Sequence, residues 1–265
     1  MMLEVFQFGF MQRAFIAGVL IALLCAIIGL FIVLRRMALL GDGLAHISFG
    51  GIAAGMLFGV YPILSALVFS VLGALGIQKL KNMKVYSDSA IAIFFSFGLA
   101  LGIILISLTR GFNADLMSYL FGSILAVNLT DILLIGAVGI AVLTVIYLFY
   151  KELFYITFDE SSAKAAGLPV EKLDTLLVIL TSIIVVLSMR IVGILLVSSL
   201  IVIPASTALM FSKSFKQTMV ISTIIAIVSV IIGLIAAYYF NLAAGGAIVM
   251  VLIVIFFTIF IFKKR

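Results

Sequence analysis

The sequence predicts an all-α, polytopic membrane protein with eight to nine transmembrane helices, in a single domain over residues 1–265. Two observations lead to this fold class. Two-thirds of the residues are hydrophobic (66%) and only 10% are charged, whereas a soluble domain carries about 25% charged residues. The apolar runs also have the length that a bilayer-spanning helix requires. So few polar groups cannot cover the surface of a water-soluble fold.

Helix-length apolar stretches recur along the chain, separated by short polar or charged connections. Several contain glycine or serine and are candidates for broken or half-length helices, which is why the expected number is eight to nine. Cys25, the single cysteine, lies inside the first stretch and is expected to be a small buried apolar side chain. The stretches are residues 10–34, 43–60, 62–79, 89–109, 129–150, 174–192, 193–212, 217–239 and 243–262.

Basic residues are concentrated on one set of alternate connections. Of the 16 Lys and Arg residues, only Arg13, Arg110 and Arg190 fall on the other set. The positive-inside rule makes the basic set cytoplasmic, so the N-terminus is expected outside and the C-terminus inside. Because these residues lie in short clusters between apolar runs, the net charge of +6 does not indicate nucleic-acid binding. The cytoplasmic set comprises Arg35, Arg36, Lys79, Lys81, Lys84, Lys151, Lys164, Lys172, Lys213, Lys216, Lys263, Lys264 and Arg265.

Two connections are long enough to hold structure of their own. The outer one, 109–131, contains an amphipathic run over 116–123 that is expected to lie at the membrane surface or to dip into it. The inner one, within 151–174, predicts a short helix, because Asp159 is a favourable first residue, alanines follow, and Gly167 stops it. Such a helix either only completes the connection or docks a cytosolic partner, and the residues alone favour neither reading.

Asp42 and His46 form a titratable pair at helical spacing beside a spanning segment. His46 is the only histidine in the chain, and residues four apart lie on one face of a helix. Ionisable side chains next to the membrane interior are costly and are therefore functional candidates. Imidazole suits zinc-like ions and carboxylate suits harder ions, so the pair is compatible with Zn²⁺, Mn²⁺ or Fe²⁺. The alternative is that Asp42 caps the helix at the cytosolic surface and His46 is a polar residue of its first turn.

A metal site built from one such pair would be incomplete. A zinc-like site has about four protein or water ligands. In a two-fold symmetric dimer each copy presents the same patch to the axis, so two aspartates and two histidines would meet there. The shortage of other ligands in the chain therefore leads to the hypothesis of a site shared between two copies.

Glycines follow this pair at every fourth position. Gly51, Gly55 and Gly59 would lie on one helix face. In a membrane, such a row lets two helices approach closely. Close packing is the expected role, with a gating hinge as the alternative.

Four stretches together resemble the permease subunit of zinc- and manganese-type ABC importers, and the resemblance covers nearly the whole chain. These stretches are Arg36–His46, Leu116–Ala126 with its Leu120-Phe121-Gly122-Ser123 core, Phe158–Leu173 and Val192–Ala205. One departure follows the histidine. The family usually has a second small or polar residue and a proline, where this chain has Ile47-Ser48-Phe49-Gly50. The helix is therefore expected to be less kinked here.

The resemblance implies a type II ABC importer-like permease in the plasma membrane of a prokaryote. It implies a second copy of the chain, a cytosolic ATP-binding subunit dimer, an extracytoplasmic metal-binding protein and contact with membrane lipid. The chain has no G-x-x-x-x-G-K-[ST] run, so ATP hydrolysis is assigned to a separate subunit and the chain is not expected to be an enzyme. No cofactor is expected beyond the transported Zn²⁺ or Mn²⁺. The implied site residues are Asp42 and His46 for the metal, and Asp159, Glu160, Ala163 and Gly167 for coupling to the ATPase.

Other functions remain as alternatives at this point. A secondary metal-ion transporter driven by an ion gradient would tend to show internal repeats and membrane-embedded carboxylates, and the sequence shows no convincing repeat. A vitamin B12- or siderophore-type ABC permease has a similar architecture, but a large chelate would not need an Asp/His pair. An intramembrane metalloprotease would need two histidines in an H-E-x-x-H motif, and this sequence has one histidine. The G-x-S-x-G motif of many serine hydrolases does not occur in it.

Overall fold

The computed structural model describes residues 8–108, 114–123 and 127–263. Within these ranges the chain is all α-helical, with twelve helices and no strand, as the composition predicts. The helices are α1 (Gly9–Leu34), α2 (Leu40–Phe58), α3 (Pro62–Asn82), α4 (Ser87–Leu108), α5 (Ala114–Phe121), α6 (Leu129–Leu148), α7 (Tyr150–Phe158), α8 (Glu160–Ala165), α9 (Val170–Val192), α10 (Val197–Leu209), α11 (Phe215–Phe240) and α12 (Ala244–Lys263).

Seven of the described helices are long and apolar enough to cross a membrane: α1, α3, α4, α6, α9, α11 and α12. The expected number of eight to nine spans is therefore not confirmed. The remaining two predicted stretches became α2, which carries Asp42 and His46, and α10, which has only 13 residues and contains Pro204. Three other expectations involve residues outside the described ranges: the charge assignments of Arg110, Lys264 and Arg265, parts of the 109–131 connection, and the end of the Leu116–Ala126 stretch.

The boundaries of α9 differ from the prediction in a way that matters. The helix begins at Val170, one turn before the expected start at residue 174, and so places Asp174 inside the helix. It ends at Val192 because Gly193 follows with φ +87°, a conformation that favours glycine. Residues 193–196 are a turn, and α10 starts only at Val197.

Helices α1 and α9 form the centre of the bundle. Helix α1 packs against α6, α9, α10 and α11, and α9 packs against α1, α2 and α3. Cys25 on α1 is fully buried, with its Sγ 3.4 Å from the hydroxyl of Ser188 on α9, which agrees with its expected packing role. Helices α4, α6, α11 and α12 lie outside this centre and present large apolar side chains, such as Phe97, Ile140 and Val254, to the membrane.

Glycines bring α2 into backbone contact with its neighbours. A Cβ at Gly51 would lie 2.7 Å from the Cα of Ala66 on α3, and one at Gly55 would lie 2.9 Å from the Cα of Pro62. The predicted close packing is confirmed at these two positions. It is wrong for Gly59, which ends α2 with φ +68° and has open space where a Cβ would be. On α4, a Cβ at Gly98 would lie 2.5 Å from the backbone nitrogen of Ile47.

The 116–123 run packs into the protein instead of lying only on the membrane surface. Leu116 and Tyr119 on α5 are 1% and 6% exposed. The amide of Ile194 donates to the carbonyl of Tyr119 at 2.9 Å, and the amide of Ser123 donates to the carbonyl of Arg190 at 3.1 Å. These backbone hydrogen bonds join α5 to the turn that separates α9 from α10.

Close contact at Gly51 predicts a strong size dependence. Replacing Gly51 with leucine should cost about 1–3 kcal/mol of folding free energy, because the added atoms overlap the α3 backbone. The thermal midpoint of the detergent-solubilised protein measures this effect. Gly136 on α6 is the matched control, since it is also helical but has nothing within 4 Å of a Cβ. Equal midpoints for Gly51→Leu and Gly136→Leu would contradict the packing.

Candidate functional site

Asp42 and His46 both lie at the start of α2 and inside the helix. The N-cap is Leu39, which makes no side-chain cap hydrogen bond, and Asp42 is in the first turn. The alternative reading of Asp42 as the cap residue therefore does not describe this helix. Its carboxylate is instead placed where the positive end of the helix dipole favours negative charge.

His46 sits against α4 with an unused ring nitrogen. Its ring centroid lies 4.2 Å from that of Phe95. Its Nδ1 atom is buried and makes no hydrogen bond within the described structure. A buried polar atom without a partner is costly and calls for an explanation, and an imidazole nitrogen with nothing bound is a natural position for a metal ion. The Asp42 carboxylate one turn earlier is close enough to interact electrostatically with this imidazole.

Asp42 and His46 have no third His, Cys, Asp or Glu beside them in the described part of the chain. No group of three or more His, Cys, Asp or Glu residues that could hold a metal occurs in the described ranges. Asp42 and His46 are each only partly buried, so both remain accessible from one side. The adjacent element is the first turn of α10, where Ser198 lies 3.2 Å from the position of a Cβ on Gly41. The described part of the chain therefore offers two neighbouring side chains that could hold a metal ion, which is fewer than a complete site needs.

The predicted cytosolic helix is present as α8. Asp159 is its N-cap, and its carboxylate accepts from the amide of Ser162 at 2.9 Å and the hydroxyl of Ser161 at 2.8 Å. Gly167 ends the turn after α8 with φ +82°. Ala163 is fully buried and faces the protein, whereas Glu160 is partly exposed and pairs with Lys164 at 2.9 Å. Of the four residues assigned to coupling, Asp159 and Gly167 therefore set the two ends of α8. Ala163 packs the helix against the protein, and Glu160 lies on its surface.

A buried ionic cluster joins this loop to the membrane helices, and the sequence reasoning missed it. Asp174 on α9 is 3% exposed and contacts Arg35 at the end of α1 and Lys81 at the end of α3. Arg35 also pairs with Glu160 at 3.1 Å. The apolar pattern predicts a helix that begins at Asp174, and a carboxylate at a helix start is common. The signal that could have found it is its nearness to an apolar run, where a charge needs a partner.

A second buried pair lies at the other end of α9. Arg190 donates to the carboxylate of Asp131 on α6 at 2.9 Å and to the hydroxyl of Tyr119 at 3.1 Å. Asp131 is 5% exposed and also accepts from the amide of Asn128 at 2.9 Å. Asp131 and Asp174 both fall at the start of a predicted apolar stretch, and the structure shows that each is buried with a cationic partner.

Comparison with known proteins identifies the family of this arrangement. The ABC 3 transport family matches residues 7–263. The chain belongs to the ABC 3 transport family. Among its relatives in this family, the manganese transport system membrane protein MntC of Halalkalibacterium halodurans is 35% identical over 232 residues, which are 87% of this chain and 80% of MntC. The high-affinity zinc uptake system membrane protein ZnuB of Haemophilus influenzae is 34% identical over 230 residues, 86% of this chain and 88% of ZnuB.

Solved structures agree with this family assignment. The chain superposes on a chain of PsaBC from Streptococcus pneumoniae, solved in complex with Fab, with a TM-score of 0.88 and 37% identity. The match covers 98% of this chain and 95% of the other. The fold of this ABC 3 protein is thus shared over nearly all of the chain.

The Asp159 cap makes a local prediction. Hydrogen bonds from Ser162 and Ser161 lower the pKa of Asp159 from 3.8 to about 2. The stabilisation of α8 by this charge is therefore complete above pH 3.8 and is lost as the pH falls through about 2. Asp159→Ala should speed amide hydrogen exchange over residues 160–167 at neutral pH, as measured by mass spectrometry, because the cap is removed.

Lys164→Ala is the control for this experiment. Lys164 is exposed and its pair with Glu160 is a surface i,i+4 pair, which contributes little. Its removal should change exchange much less than Asp159→Ala does. If the two variants exchange at the same rate, Asp159 does not hold the start of α8.

Proposed function

We propose that the chain is the membrane-spanning permease subunit of an ATP-driven importer of divalent transition-metal ions. Zinc is the first candidate substrate, and manganese and iron(II) are the others. Family membership supports the transporter role, and the two relatives described above are named for manganese and for zinc. The observation that carries the proposal is His46, whose buried Nδ1 has no hydrogen bond and lies one helical turn after Asp42.

Two copies of the chain form the translocation path in this proposal. Each copy offers a carboxylate and an imidazole that are only partly buried, and no third ligand lies beside them in the described structure. A two-fold axis next to α2 would give two carboxylate and two imidazole ligands. This number matches the about four ligands of a zinc-like site, and the mixed donors also suit manganese.

ATP hydrolysis is supplied by a separate cytosolic subunit that docks on the α7–α8 loop. The chain contains no nucleotide-binding P-loop. The exposed surface of α8 around Glu160 and Ser161 is the docking surface, with Ala163 seating the helix from below. Arg35, Lys81 and Lys164 gather at this end of the bundle, and the positive-inside rule makes it cytoplasmic.

The same orientation places the N-terminus outside and the C-terminus inside the plasma membrane of a prokaryote. The outer end then holds α5, the turn after α9 and the Arg190–Asp131 pair. An extracytoplasmic metal-binding protein would deliver the ion to this end. A chelate such as vitamin B12 is disfavoured as cargo, because the half-site consists of ligands for a bare cation.

Removal of the imidazole should abolish transport. His46→Ala and Asp42→Ala should each lower accumulation of Zn²⁺ or Mn²⁺ by more than about tenfold, since a lost ligand cannot be replaced within the chain. Uptake is measured in cells that express the whole importer, with membrane insertion checked by immunoblot. Ser48→Ala is the matched control, because Ser48 is on the same helix but only bonds the carbonyl of Leu44. Wild-type uptake by His46→Ala would remove the pair from the mechanism.

The energy source is tested with the same cells. Collapse of the proton gradient with an ionophore, at maintained ATP, should leave uptake unchanged. Loss of uptake under that condition would instead support a secondary transporter.

A shared site also predicts a stoichiometry. Equilibrium dialysis of the purified protein against Zn²⁺ or Mn²⁺ should saturate at one ion per two chains, because each chain provides half of the ligands. Both single-ligand variants should lose this binding. One ion per chain would contradict a site on the two-fold axis.

A further inference from the structure

Arg35 occupies an unusual place for an arginine at the end of a membrane helix. It is the C-cap residue of α1, where a long basic side chain would be expected to extend its guanidinium into solvent. Its side chain is nevertheless only 6% exposed. A buried guanidinium must be matched by acceptors around it, so its partners define which elements it holds together.

Three elements converge on this single guanidinium. One Nη atom donates to the main-chain carbonyl of Ile156 on α7, at 2.5 Å. The other lies 2.8 Å from the carboxylate of Asp174 on α9 and 3.1 Å from that of Glu160 on α8. The planar fork of arginine can satisfy acceptors in several directions at once, which a lysine ammonium on a flexible stem does less well. Both helices of the cytosolic loop are therefore attached to the end of α1.

The backbone on the other side of Arg35 leads directly to the metal half-site. Residues 35–39 connect α1 to α2. The connection is a tight turn, in which the amides of Arg36 and Met37 donate to the carbonyls of Val33 and Ile32. The amide of Leu40 then donates to the carbonyl of Met37 at 2.9 Å. A displacement of Arg35 cannot be absorbed by a loose loop and is passed to the first turn of α2, which contains Asp42.

We propose that Arg35 is a positioning residue that transmits movement of the α7–α8 loop to the Asp42–His46 pair. This inference rests on the proposed function, since it concerns how the ATPase-driven loop acts on the transported ion. The loop therefore cannot shift without either moving the end of α1 or taking the Ile156 carbonyl and the Glu160 carboxylate away from the buried Arg35 guanidinium. The second choice is costly in a water-poor environment.

Lys81 provides the internal comparison. Its ammonium lies 2.7 Å from the same Asp174 carboxylate. Among the described residues it makes no hydrogen bond or ion pair with α7 or α8. Lys81 therefore shares the electrostatic environment of the cluster without joining the loop to the α1–α2 connection.

The test measures metal transported per ATP hydrolysed by the complete importer in proteoliposomes, with Zn²⁺ and with Mn²⁺. Arg35→Gln and Arg35→Lys should lower this ratio by about tenfold or more, while ATP hydrolysis continues and the purified variants still bind the ion. Lys81→Gln should keep the ratio within about twofold of wild type. Arg35→Lys retains the positive charge beside Asp174 and decides the question if Arg35→Gln fails to assemble.

An unchanged ratio of metal transported to ATP hydrolysed in Arg35→Lys would overturn the inference. A loss in Lys81→Gln as large as that in the Arg35 variants would also overturn it, because it would indicate a general role of the cluster in stability. Loss of metal binding by Arg35→Lys would also overturn it, because the residue would then maintain the half-site itself. If the wild-type complex shows neither metal uptake nor ATP dependence, the proposed function fails first. Normal wild-type transport with an unaffected Arg35→Lys rejects the inference alone.

Discussion

The pairing of charges at the two ends of α9 is the constraint on which the rest of the structure depends. Asp174 and Arg190 lie 16 residues apart on one helix, which corresponds to about 24 Å, close to the hydrocarbon thickness of a bilayer. A charge without a partner at either position would be costly in an apolar environment. Each partner comes from a different helix, so satisfying these two charges fixes α9 against α1 and α3 at one end and against α5 and α6 at the other.

With α9 fixed, glycine contacts determine where α2 can lie. Association of helices in lipid gains nothing from the hydrophobic effect and depends on close packing. The missing side chains of Gly51 and Gly55 let the backbone of α3 approach α2, and that of Gly98 on α4 lets the backbone of α2 approach α4. These contacts hold α2 on two sides, and Asp42 and His46 remain partly buried, with the His46 ring against Phe95 of α4. The two candidate ligands stay partly exposed because this packing leaves α2 no freedom to rotate.

The sequence predicted the features that local patterns determine. Every apolar stretch became a helix close to its expected limits, and the cap at Asp159 with the stop at Gly167 located α8. Spacing alone was enough to place Asp42 and His46 on consecutive turns. These properties follow from hydrophobicity, capping and helix periodicity within a few residues.

Contacts between distant residues could not be predicted in this way. Arg35 and Asp174 are separated by 139 residues, and Arg190 and Tyr119 by 71. A single sequence contains no signal that pairs them. Gly59 shows the same limit locally, since it continues the spacing of Gly51 and Gly55 but lies at the end of the helix. The division at Gly193 was predicted, since one apolar stretch ends at residue 192 and the next begins at residue 193. The pattern did not show that a turn over residues 193–196 shortens the second stretch to the 13 residues of α10.

A site shared between two copies, as proposed, would have a mechanical consequence. A cation bound between two copies loses half of its ligands when the two α2 helices separate, and two protein ligands bind far more weakly than four. Small movements at the dimer axis can thus convert a holding site into a releasing one without any change inside α2. The rigid contacts of α2 with α3 and α4 make such whole-helix movement more favourable than local distortion. In the proposed coupling, the tight turn from Arg35 to Leu40 is the covalent route from the α7–α8 loop contacts to this helix.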